Sequence, residues 1–251
     1  VTRTLAAIAA AAYLFLHLPL AILAAFSFNS SRFTVWEGFS LRWYRAVWED
    51  GRLMEAAWNS VWIGLAASAA ASALGTLAAY GMWKRRARFL EASLYLSLIT
   101  PEVVMGVSLL AFYQWAFRFL DLRLGMHTVI LAHVAFSLAY VVVVVMARLR
   151  TMDAALEEAA LDLGATPFEA FRRVTLPQLT PAIGTAALLA FAISFDDYVI
   201  TSLVAGVDSE TLPMAIYAMA RRGVSPAVNA ISTVILVAVG VLTLTAERWR
   251  R

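Results

Sequence analysis

The chain has 251 residues, 62% of them hydrophobic and 15% charged. A water-soluble domain carries about 25% charged and 45–50% apolar residues, so this composition excludes one large soluble core and names a bilayer as the solvent. Cysteine is absent, which excludes disulfides and thiolate metal sites, and the formal charge of +3 matters less than its placement.

Six stretches reach the roughly 20 mostly apolar residues that a membrane-spanning helix needs. The first is Leu5–Phe28. Its apolar run exceeds the roughly 7–15 residues of a signal-peptide core, so it reads as a retained span. Trp36, Trp48 and Trp58 follow it as interfacial anchors. The second span, Ala57–Met82, contains a run of Gly, Ala and Ser between Gly64 and Gly75. Small residues let helix backbones approach in lipid, which predicts a tightly packed inner helix. The third, Leu90–Phe117, is interrupted by Thr100-Pro101-Glu102, and Pro101 predicts a kink or a late helix start. The fourth is Met126–Met146.

The long loop Arg148–Thr180 comes next and reads as two short helices. One runs from about Asp153 to Leu163 and stops at Gly164, a residue suited to the left-handed C′ position. Thr166-Pro167-Phe168-Glu169 then restarts the chain as a capping box with proline at the first helical position. This second helix is expected to fade before Pro177. The fifth span, Pro181–Val204, carries the adjacent pair Asp196 and Asp197. An outer loop, Asp208–Val224, holds an amphipathic turn around Leu212–Arg222, and the sixth span is Val228–Thr245. The histidines His17, His127 and His133 stand apart and read as hydrogen-bonded packing residues.

Lys and Arg orient such a bundle. With the N-terminus inside, Arg3, Lys84, Arg85, Arg86, Arg88, Arg148, Arg150, Arg172, Arg173, Arg248, Arg250 and Arg251 fall inside. Arg32, Arg42, Arg45, Arg52, Arg118, Arg123, Arg221 and Arg222 fall outside, the first four among Glu37, Glu49, Asp50 and Glu55. The inner excess predicts that both termini face the cytoplasm.

An ionised side chain at the bilayer centre costs about 2.5–3.5 kcal/mol on insertion scales. Neighbouring residues on a helix point about 100° apart, so Asp196 and Asp197 cannot both avoid lipid by one rotation. Three arrangements satisfy the pair: a wet cavity, a hydrated outer helix end, or Arg on a partner subunit. In a cavity, two carboxylates suit a small organic cation. Glu102 is a second acid within a span, and Trp43 is an aromatic candidate for cation–π attraction of about 0.5–2 kcal/mol. Ser194, two residues before Asp196, serves only if the helix is irregular there.

The spacing Glu158-Ala159-Ala160, then Gly164, then Val174-Thr175-Leu176-Pro177 resembles the "EAA" loop of ABC-importer permeases, with Val174 where that family usually has Ile. "SFNSSRF" (Ser27–Phe33), "WY" (Trp43-Tyr44), "PEVVMGVSLL" (Pro101–Leu110), "SFDDYVITS" (Ser194–Ser202) and "GVSPAVNA" (Gly223–Ala230) are similar to the second permease subunit of spermidine/putrescine importers. The resemblance implies an all-α membrane protein: a type I importer permease with six transmembrane helices in one domain, residues 1–251, and cytoplasmic coupling helices at 148–180. It assigns Glu158, Ala159, Ala160 and Gly164 to docking on a cytoplasmic ATPase, and Leu176 and Pro177 to the return into the membrane. It assigns Trp43, Glu102, Ser194, Asp196 and Asp197 to the substrate, although the family relative has the shorter Asp where this chain has Glu102.

The same resemblance implies partners: an ATPase dimer, a second permease in a heterodimer, an extracytoplasmic binding protein, and lipid, with no nucleic acid. The location it implies is a bacterial inner membrane. The chain has no G-x-x-x-x-G-K-[ST] phosphate loop, so no cofactor of its own is expected and ATP is left to another chain. Three competing readings are an ABC permease for another solute, such as an amino acid derivative or a metal chelate, an ion-coupled secondary transporter, and an intramembrane enzyme with an acid pair.

Overall fold

A computed structural model describes residues 2–32, 35–85, 87–120, 122–223 and 226–249. Phe33, Arg86, Val224, Ser225, Arg250 and Arg251, which enter the readings above, lie outside the described residues. Helices α1 (Thr2–Phe26) and α2 (Arg42–Glu49) lead into the long α3 (Gly51–Arg85). Then come α4 (Arg88–Ile99), α5 (Glu102–Leu120) and α6 (Met126–Leu149). The short α7 (Ala155–Asp162) and α8 (Pro167–Ala170) precede a π turn (Phe171–Thr175) that runs into α9 (Leu176–Asp196). Last are α10 (Val199–Val204), α11 (Leu212–Arg221) and α12 (Pro226–Trp249).

Among the described residues, four helical runs are long and apolar enough to cross a membrane: residues 3–26, α3, α6 and the continuous Pro167–Asp196. The α4–α5 pair is a fifth candidate, bent by 105° at its break. The described apolar part of α12 is the shorter Pro226–Val241. The bend falls where Pro101 placed it. Thr100 before the proline is extended at ψ 126°, and its hydroxyl and N–H both donate to Leu96 O, closing α4.

Two boundary expectations need correcting. The helix does not fade before Pro177. In the π turn Leu176 N–H donates to Phe171 O, five residues back, and this local widening carries the helix past Pro177 into α9. The fifth span is also displaced. Its helix starts before Pro181, runs through it and stops at Asp196, and α10 is a separate turn and a half.

The chain divides into two compact units, Val1–Glu55 with Ala215–Arg251, and Ala56–Met214. In the first, α12 packs on α1 and α2, while Leu14, Phe15 and Leu16 of α1 stay exposed. In the second, α6 lies along α9. Val141, Val142, Val145 and Leu149 form a core with Leu179, Ala186 and Ala190. A second cluster joins Ile63, Tyr113, Val129, Phe136, Ile200 and Val204. The small residues of α3 do what their size predicts. Ala67, Ala71 and Ala79 are fully buried, and a Cβ on Gly75 would lie 2.6 Å from Val141 Cγ1. Lipid supplies no hydrophobic drive between helices, so this close packing is what holds α3 to α6.

Candidate functional site

The α9–α10 break is built around Asp197. Its backbone is extended (φ −67°, ψ 125°), so α9 ends one residue earlier and Asp196 is its last residue. The Asp197 carboxylate turns back over α10 as a cap, with Oδ2 accepting from Thr201 N–H at 2.8 Å and from the Thr201 hydroxyl at 2.7 Å. His133 of α6 is fully buried against it. Its Nδ1 bonds Ser194 Oγ at 2.6 Å, its Nε2 bonds Thr201 Oγ1 at 2.9 Å, and Nε2 lies 3.4 Å from Asp197 Oδ2. With the proton on Nε2 the donors form one directed chain: Ser194 hydroxyl to His133, His133 to Thr201, Thr201 to Asp197. An opened backbone inside a membrane is tolerated only when its polar groups are satisfied, and the Asp197 carboxylate takes the N–H groups of Ile200 and Thr201 at the start of α10.

Asp196 is different. It is exposed, with no hydrogen bond or ion pair among the described residues. Glu102 is also exposed and begins α5 just past the Pro101 bend. Helix α5, which begins at Glu102, packs on α10, the short helix after the Asp196 break, where a Cβ on Gly106 would lie 2.6 Å from Leu203 Cδ1. Ser194 is buried and committed to His133. Trp43 belongs to the first unit. Its Nε1 donates to Asn29 O at 2.8 Å, and the Arg42 guanidinium lies 4.4 Å from its ring centroid.

The loop between α6 and α9 follows its sequence signals at Gly164 and at the Thr166–Glu169 box. Gly164 takes φ +90°, where an L side chain is strained, and ends α7. Thr166 Oγ1 accepts from Glu169 N–H, and Glu169 Oε2 accepts from Thr166 N–H, completing the capping box. Glu158 and Ala159 are exposed and Ala160 is half-buried. Leu176 is half-buried and Pro177 exposed at the start of α9. Beside Gly164, Leu163 is 89% exposed and Phe168 69%, two apolar side chains standing out of a polar loop.

Glu157 faces inward. Its side chain is 5% exposed, and it accepts from Tyr80 Oη at 2.6 Å, Lys84 Nζ at 2.8 Å and Thr175 Oγ1 at 2.9 Å. Burial pushes this carboxyl up. The hydrogen bonds from Lys84, Tyr80 and Thr175, with the lysine charge, outweigh that and hold it below the ordinary carboxylate value. Sequence reasoning missed Glu157, whose only signal was an acid beside the acid of the loop motif. It read His133 as a hydrogen-bonded packing residue, as the structure has it, without finding its partners Ser194 and Thr201.

A family model described as binding-protein-dependent transport system inner membrane component matches residues 71–251. The chain belongs to that family. It is 43% identical over 238 residues to the putrescine transport system permease protein PotI of Escherichia coli K12, covering 92% of this chain and 84% of the relative. It is 37% identical over 241 residues to the spermidine/putrescine transport system permease protein PotC of the same strain, covering 94% and 90%. Among solved structures, a bacterial ABC transporter involved in the import of the acidic polysaccharide alginate matches with TM-score 0.74 at 16% identity, covering 99% of this chain and 95% of that one. An amino acid ABC transporter matches with TM-score 0.60 at 18% identity, covering 85% and 100%. At that identity the likeness shows the fold alone. As a member of this family the chain is a multi-pass inner-membrane permease subunit of an ABC importer.

Proposed function

We propose that this permease carries a polyamine of the putrescine or spermidine class. The observation that supports it best is Asp196, exposed at a helix break with no partner among the described residues, next to a carboxylate already committed to its own backbone. Asp196 contacts an ammonium group of the cation. Glu102, at the other break, contacts a second one, and Trp43 is a further substrate residue. Asp197 and Ser194 serve the substrate indirectly, by holding the break open through His133.

The whole of residues 1–251 acts as one permease domain with six spans and both termini in the cytoplasm. It pairs with a second permease. The loop residues Glu158, Ala159, Ala160 and Gly164, with the projecting Leu163 and Phe168, sit on a separate ATPase that binds and hydrolyses ATP. Leu176 and Pro177 fix where the loop turns into α9. The permease needs no cofactor of its own. A binding protein outside delivers the cation. ATP binding closes the ATPase pair, the loops move, and the bundle alternates between faces, with the cation bound unequally by the two states.

The test is uptake of radiolabelled putrescine and spermidine into vesicles holding the complete importer. ATP-dependent uptake that survives a proton ionophore supports the reading. Uptake by this chain alone, driven by an ion gradient, contradicts it.

A further inference from the structure

A single buried carboxylate joins three separate pieces of the second unit. Glu157 lies in the first turn of α7, and its two oxygens divide the work. Oε1 takes Tyr80 and Lys84, which are one turn apart near the end of α3. Oε2 takes Thr175, in the π turn that feeds α9. Phe171 of the same π turn packs on Tyr80 with ring centroids 4.6 Å apart. Lys84 is the sole lysine of the chain, in a sequence otherwise using arginine. An ammonium is a compact point charge that one carboxylate oxygen can share with a phenol, whereas a guanidinium fork favours both oxygens and would displace Thr175.

This joint lies one residue from the outward-facing Glu158. On a helix the two point about 100° apart, so one face of α7 is left for a partner while the other is tied to the bundle. A buried carboxylate stripped of a donor is strongly destabilised, so α7 cannot shift without drawing Tyr80, Lys84 and Thr175 with it. Beyond the joint the path is stiff. Gly64 of α3 approaches Phe191 of α9 closely enough that a Cβ there would lie 2.9 Å from its ring, and Ser68 Oγ donates to Ala187 O at 3.0 Å. Helix α9 ends at Asp196.

We propose that Glu157 is the positioning residue that converts displacement of the coupling helix into joint movement of α3 and α9, and so links ATP hydrolysis to the break that carries Asp196. This rests on the reading that the loop docks an ATPase. The variants Tyr80→Phe, Thr175→Val and Glu157→Gln each remove part of the joint, and the first keeps the ring contact with Phe171. They are made in the complete importer, reconstituted in liposomes, and both ATP hydrolysis and cation delivery are measured.

The expected result is that all three variants retain the ATPase on purification and hydrolyse ATP at close to the parent rate. The ATP spent per cation delivered rises about threefold for Tyr80→Phe and Thr175→Val, and about tenfold or more for Glu157→Gln. Exchanging the charges, with Glu157→Lys and Lys84→Glu together, recovers delivery relative to either change alone. An unchanged ATP-to-cation ratio in all three variants, whether or not both rates fall together, would overturn the proposal by showing a merely structural tie. Failure of the parent chain to hold an ATPase overturns the docking reading, and the joint with it. That outcome is told apart because it is seen before any substitution is made.

Discussion

Two pairs of adjacent acids, Glu157-Glu158 in the loop and Asp196-Asp197 at the end of α9, split the same way. One member is drawn inward and bonded by its own chain: Glu157 by Tyr80, Lys84 and Thr175, and Asp197 by Thr201 and His133. The other, Glu158 or Asp196, is exposed with no partner among the described residues. For Glu157 and Glu158 the split follows from helix geometry, since helical neighbours diverge by about 100°; for Asp196 and Asp197 it follows from the extended backbone of Asp197, which leaves the helix. The pairs differ in what the inner acid holds. Glu157 ties separate elements together, while Asp197 caps the short helix that its own irregular backbone begins. Adjacent like charges in an apolar chain therefore need not share a ligand.

The comparison can be broken first at the inner acid of the membrane pair. Asp197→Ala leaves Thr201 N–H and the His133 chain without their acceptor, and should cost about 3 kcal/mol of stability. Thermal unfolding of the detergent-purified importer reads it, and an unchanged midpoint would remove Asp197 from its structural role. His133→Ala deletes the link between Ser194 and Thr201 and should cost about 2 kcal/mol in the same assay. In the exposed capping box nothing is buried, so Thr166→Ala should cost only about 1 kcal/mol, seen as faster hydrogen exchange in α8.

Acid gives the gentlest probe of the loop pair. The folded carboxyl of Glu157 lies below its ordinary value of 4.5, so its contribution is fully present above that value and is lost as pH falls through the lower, folded one. The stability gap between the parent and Glu157→Gln should be flat near neutrality and close only below about pH 4.5. A gap that closed between pH 6 and 8 would assign the effect to another group.

Much of the fold was legible because it rests on local signals. The 105° bend at Pro101, the left-handed Gly164 and the Thr166–Glu169 box each depend on residues within one turn. Small residues between Gly64 and Gly75 foretold the close packing of α3. What stayed hidden depends on distant partners or on backbone detail. Nothing local distinguishes Glu157 from Glu158, because Tyr80 stands 77 residues away. The π turn that carries the helix past Pro177 has no composition of its own. The resemblance assigns Asp196 and Asp197 alike to the substrate, and the bonds of Asp197 to Thr201, with buried His133 of α6 against them, separate their surroundings.

The most direct measurement is ATP-driven putrescine uptake by the reconstituted importer carrying Asp196→Asn, compared with its thermal unfolding. Loss of one charged contact should raise the KM for uptake by about 10- to 100-fold while the unfolding midpoint and subunit composition stay as in the parent. Parent-like uptake by Asp196→Asn, or a lowered midpoint accompanying its loss, would contradict the division between an acid that meets the cargo and one that holds the helix.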